Sequence, residues 1–108
     1  MIEIDSNNNI KLTRGDTCKI KINLTDADGK EYVPQDGDSL RFAMAPSYDG
    51  RVILKKNISM NTLLLTIDPA DTKKLSFGQY VYDIQFTSAS GDVSTIAIGS
   101  LHITKEVA

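Results

Sequence analysis

Apolar residues recur at every second position through most of this chain. Ile10 and Leu12, then Cys18, Ile20, Ile22 and Leu24, hold even positions, with Lys11, Lys19, Lys21 and Asn23 between them. A period of two is the repeat of an extended strand with one buried face, because successive side chains point to opposite sides of the backbone. Leu40, Phe42 and Met44 repeat the pattern, as do Tyr80, Tyr82, Ile84 and Phe86. These sets are predicted to fill the core. Two stretches depart from the alternation: Val52-Ile53-Leu54 and Leu63-Leu64-Leu65 are apolar at consecutive positions. A half-buried strand covers only one of its faces, so Ile53 and Leu64 are predicted to stay outward unless a loop or another protomer covers them. They are the candidate interface residues.

Turn chemistry cuts the pattern into strands. Asn7-Asn8-Asn9, Asp26-Ala27-Asp28-Gly29, residues 34–38, Pro46-Ser47-Tyr48-Asp49-Gly50, residues 57–61 and Ser88-Ala89-Ser90-Gly91-Asp92 concentrate residues that bend the chain or tolerate left-handed backbone angles. Asp68 as cap and Pro69 at the first helical position predict one helical turn near 69–75. Asp71 within it is expected to bond turn amides. Gly78 then opens a strand in which Tyr80 follows a Leu-x-x-Gly-x-Tyr reversal. In Ig-like sandwiches that tyrosine's hydroxyl bonds back to upstream backbone, forming a tyrosine corner. In the last strand Ile96 and Ile98 are even but Leu101 and Ile103 odd. One inserted residue would restore the facing, so a β-bulge is predicted at Gly99-Ser100. The whole reads as an all-β antiparallel Ig-like sandwich of about seven to nine strands, one domain over 1–108.

Composition and charge remove functions rather than add them. Twelve basic against fourteen acidic residues give a net charge of −2 with no long basic run, so no nucleic-acid partner is expected. The start carries no basic-then-apolar leader and no apolar run reaches membrane-spanning length. Synthesis in the cytoplasm and no membrane contact are expected. Cys18 shares the alternation of Ile20 and Ile22 and reads as a small buried hydrophobe. His102, the only histidine, points outward by alternation, so neither a histidine relay nor a multi-histidine metal site can be built. Asp26-x-Asp28-Gly29, which Asp36 and Asp38 could approach, lacks the later acidic ligand of an EF-hand. Asp83 interrupts an apolar strand and is expected to meet Arg41 or a lysine across the sheet. No phosphate-binding glycine loop and no nucleophile elbow are present. No catalytic residue, metal or cofactor is expected, and the chain reads as non-enzymatic.

From Leu12 onward the order of motifs resembles a small-domain family of phages and prophages of Gram-positive bacteria, best known as the N-terminal domain of phage baseplate upper proteins. The resemblance is carried by Leu12-Thr13-Arg14-Gly15-Asp16-Thr17, by Asp36-Gly37-Asp38-Ser39-Leu40-Arg41-Phe42 and by Asp68-Pro69-Ala70-Asp71-Thr72-Lys73-Lys74-Leu75. It continues through Gly78-Gln79-Tyr80-Val81-Tyr82-Asp83-Ile84-Gln85 and the closing Gly99-Ser100-Leu101-His102-Ile103-Thr104. It implies an Ig-like virion structural module that joins a baseplate, tail or fibre, partnered by other virion proteins or by itself as a homo-oligomer. The competing expectation is a carbohydrate-binding or adhesion module. A glycan needs exposed aromatics, and with no tryptophan the candidates are Tyr32 and Tyr48 in loops.

Overall fold

The computed structural model describes residues 2–4, 8–25 and 28–105, the first three through their backbone. The strands are β1 (Ile2–Ile4), β2 (Ile10–Thr13), β3 (Cys18–Lys21), β4 (Ser39–Ala45), β5 (Leu54–Ile58), β6 (Leu64–Ile67), β7 (Gly78–Thr87) and β8 (Val93–Thr104), with one helical turn, α1 (Pro69–Lys73), before β7. Six strands form a mixed sheet in the order β1-β2-β8-β7-β4-β5, and β3 pairs with β6 in a second. One core draws on both sheets: Leu12, Phe42, Tyr82 and Leu101 from the larger, Cys18, Leu65 and Ile67 from the smaller. Leu12, Phe42, Tyr82, Leu101 and Cys18 are positions the alternation selects, whereas Leu65 and Ile67 belong to a strand whose apolar residues run consecutively. The Phe42 and Tyr82 rings pack with centroids 5.5 Å apart, and burial of each such side chain is worth about 1.5–3 kcal/mol.

The wholly antiparallel expectation is corrected at the β2 edge. Ile10 to Thr13 pair in parallel with Leu101 to Thr104. After β2 the chain reverses at Arg14 and Gly15, the glycine at φ 82°, and passes to the other sheet as β3. Strand β2 therefore has no hairpin partner downstream and adds beside β8 in the same direction. Alternation is identical for parallel and antiparallel neighbours, so the sequence pattern does not distinguish them.

The bulge also lies elsewhere than expected. The β7–β8 register shifts where Ile84 pairs with Ala97 and Gln85 with Thr95, leaving Ile96 as the extra residue. Beyond it the alternation runs unbroken: Leu101 and Ile103 are buried and Ile98 is exposed. Gly99 answers to space instead. It sits opposite Tyr82, and a Cβ there would meet the Asn8 carbonyl oxygen and, at 2.9 Å, Tyr82 Cε2. Asn8, in the predicted asparagine turn, takes the left-handed conformation at φ 64° and accepts the Tyr82 hydroxyl on its carbonyl.

The helical turn and the tyrosine corner form one unit. The Asp68 N–H donates to Asp71 Oδ2 at 2.8 Å, the amide bond expected of Asp71. Gly78 takes φ 135°, open to glycine, and Tyr80 turns inward so that its hydroxyl donates to the Ser76 carbonyl at 2.7 Å. Long-range contacts fasten the unit to the β2–β3 turn. The Gly15 N–H donates to buried Thr72 Oγ1 at 2.9 Å, and the Arg14 guanidinium lies 4.2 Å above the Phe77 ring. Tyr80→Phe keeps the ring and removes only the corner bond. It is expected to cost about 1 kcal/mol, read as a lower urea midpoint at unchanged slope; an unchanged midpoint would mean that the corner is shape without energy.

Candidate functional site

The residues that alternate away from the core on β4, β7 and β8 lie in rows across the larger sheet. Ile98, Asp83 and Ala43 form one row, and Ser100, Val81 and Ala45 the next. The segment after β4 folds over this face: the Gly50 N–H donates to the Ser47 carbonyl at 3.0 Å and the Ile53 N–H to the Met44 carbonyl at 2.9 Å. Strand and segment enclose a groove of about 210 Å³, with Ala43, Ala45 and Val81 at its floor and Tyr48, Val52 and Ile98 around it. Tyr48 is 74% exposed, Ile98 53% and Val52 52%. Arg41 Nη2 and Asp83 Oδ1 are 3.6 Å apart, the cross-strand pairing expected of Asp83, and both line the groove. It offers an apolar surface carrying one cation and one anion.

Ile53 and Leu64 are both outward, at 39% and 36% exposure, but they do not share a patch. Ile53 leads into β5 and Leu64 opens β6 opposite Lys21. The five residues of β5, about 17 Å of extended chain, and the following turn lie between them. The outer face of β8 instead carries Ile98, which the predicted bulge would have turned to the same side as Leu101 and Ile103. Its signal was present in the sequence: without a bulge at Gly99-Ser100, the buried Leu101 and Ile103 place Ile98 on the opposite face.

Other side chains considered for chemistry are occupied structurally. Asp38 Oδ2 accepts the Tyr32 hydroxyl at 2.6 Å and the Gln35 N–H at 2.8 Å, and Oδ1 accepts the Ala89 N–H at 3.0 Å. The Tyr32 and Gln35 bonds, opposed by desolvation and aided by Ala89, hold its carboxyl below the ordinary aspartate range. Tyr32 packs edge-on against Phe86, centroids 5.3 Å apart, and so braces a loop. Asp26 lies outside the described residues, among which no three histidine, cysteine or acidic side chains gather as a metal site would require. Burial pushes the Cys18 thiol up to about 11, which leaves it protonated at neutral pH. His102 is exposed on β8. No helix among the described residues is long and apolar enough to cross a membrane. No family model matches the chain, and no curated protein is significantly similar to it.

Proposed function

We propose that this chain is an Ig-like structural module of a phage or prophage virion, made in the bacterial cytoplasm and built into a baseplate, tail or fibre through protein–protein contacts, without enzymatic activity. Strand order supports the Ig-like reading: β8, β7 and β4 are neighbours as strands G, F and C are in such sandwiches, β3 pairs with β6 as B with E, and Tyr80 forms the corner at the start of F. The motif order given above supports the phage setting. The observation that carries a contact role is the outward apolar surface of Tyr48, Val52, Val81 and Ile98 around one groove, since exposed apolar surface gathered in this way is typical of interaction sites.

Size-exclusion chromatography with light scattering tests it. The chain is expected to self-associate at about 10–100 µM, and Ile98→Asp to return it to monomer while changing stability by less than about 0.5 kcal/mol, as for an exposed position. A strict monomer that binds no virion protein would overturn the reading. One observation favours the glycan alternative: Tyr48 stands exposed beside a groove that also presents Arg41 and Asp83. Glycan-array binding lost in Tyr48→Ala would support that alternative, and a blank array would remove it.

A further inference from the structure

The smaller sheet ends abruptly. Among the described residues strand β3 pairs with β6 alone, and the bond from the Ile22 N–H to the Leu63 carbonyl at 2.7 Å sets the phase of the ladder. Since Cys18 faces Ile67 and Ile20 faces Leu65, the even residues bond to β6. The N–H and C=O groups of Lys19 and Lys21 consequently point the other way. Among the described residues nothing pairs with those groups on that side. Beside this edge the two sheets part over a cleft of about 330 Å³ whose lining mixes aliphatic side chains, Ile10, Ile20, Ile84 and Ile96 among them, with polar ones from Asn8, Lys21, Asn23 and Tyr82. The bulge that displaces Ile96 contributes to its far wall.

An unpaired edge above a cleft with aliphatic side chains in its lining is the acceptor for an added strand: backbone bonds supply the pairing, and the cleft takes every second side chain. The charge at the edge selects the donor. Lys19 and Lys21 lie exposed on the outer side of β3, although the Lys21 ammonium also donates to the Thr62 carbonyl at 2.7 Å. Two copies meeting β3 to β3 would bring lysines together, and like charges across a ladder destabilise it. A strand with acidic residues between its apolar ones meets no such penalty. We propose, resting on the assembly reading above, that the free edge of β3 accepts an extended strand of a partner protein, apolar at alternate positions and acidic between them.

The probes are two capped heptapeptides, one alternating valine with glutamate and one alternating valine with lysine, titrated into the isotope-labelled full chain. The glutamate peptide is expected to shift the Lys19 and Lys21 amide resonances saturably, with a Kd of about 1 mM or tighter, and the lysine peptide to bind at least about tenfold more weakly. Lys21→Pro removes an outward N–H that β6 does not use and is expected to weaken the glutamate peptide at least about tenfold. Should that variant not fold, the double change Lys19→Glu with Lys21→Glu decides instead, by reversing the preference between the peptides. No saturable shift up to about 5 mM peptide, equal binding of both peptides, or binding indifferent to these variants would overturn the proposal. Self-association through Ile98 is read separately by light scattering, so the edge and the outer face can fail independently.

Discussion

Gly99→Ala is expected to lower the unfolding free energy by about 3 kcal/mol, although it adds a single methyl group. Inserting atoms into a packed site costs roughly 1–3 kcal/mol even when neighbours can yield. Here one neighbour is main chain. The new Cβ would meet the Asn8 carbonyl oxygen and Tyr82 Cε2, and the carbonyl cannot retreat without abandoning the Tyr82 hydroxyl it accepts, at a further cost of about 1 kcal/mol. Urea denaturation would report the loss as a lower midpoint. Hydrogen exchange would locate it, with amides of β2 opening first. A cost below about 0.5 kcal/mol would mean that the Asn8 segment moves freely and that glycine is not required at position 99.

Asp71→Asn is expected to cost about 2 kcal/mol at neutral pH, and the difference from the parent chain should narrow at both extremes. Lys56 occupies an inward register on β5, opposite Phe42, and its ammonium lies 2.8 Å from Asp71 and 3.4 Å from Asp68. Removing Asp71's charge leaves that half-buried cation with its weaker, more exposed partner and loosens the cap on α1. Burial pushes the Asp71 carboxyl up, but hydrogen bonds from Lys56 and the Asp68 amide, together with the Lys56 charge, outweigh it and hold the carboxyl below the ordinary aspartate range. A depressed carboxyl stabilises the fold above about pH 4, its unfolded value, and that stability is lost as pH falls through the folded value. Lys56 is raised, first by its hydrogen bond to Asp71 and against its desolvation. Its stabilisation is present below about pH 10.4 and lost as pH rises through the folded value. Denaturant midpoints from pH 2 to 11 should therefore show a plateau flanked by two declines in the parent chain, and a lower, flatter profile in the variant. Parallel profiles would contradict a role for the ion pair.

Alternation made most of the strands legible, along with the inward sets of β2, β3, β4 and β7, because one buried face imposes a period of two wherever a strand covers a core. Cap and turn chemistry located α1, and the reversal before Tyr80 located the corner, since both are local. Alternation reports which residues share a side without reporting which side is inside. Ile96 and Ile98 could therefore be read as core until Leu101 and Ile103 are seen to set the phase of β8. Lys56 shows the converse: a cation at an inward position looks like a surface residue until Asp71, fifteen positions later in sequence, is placed beside it. Of the candidate site, the outward direction of Ile53 and Leu64 was readable. The groove was not, because Ala43, Val81, Ile98 and Val52 come together only through pairing across three strands and a folded-back loop. The free edge of β3 is likewise a property of which strands are neighbours.

The parallel seam of β2 on β8 sets the order in which this protein can be finished. Ile10 must find Leu101, and Thr13 must find Thr104, so an emerging chain holds β2 without its mate until almost every other strand has left the ribosome. Pairings this far apart in sequence, Ile10 with Leu101, form slowly, and folds dominated by distant pairings complete on the order of milliseconds to seconds. Until then the apolar side of β2 and the inward residues of β7 remain uncovered. Nascent chains stalled just short of Leu101 would be the ones to engage a chaperone, and release of the last strand would close the fold and end that engagement together.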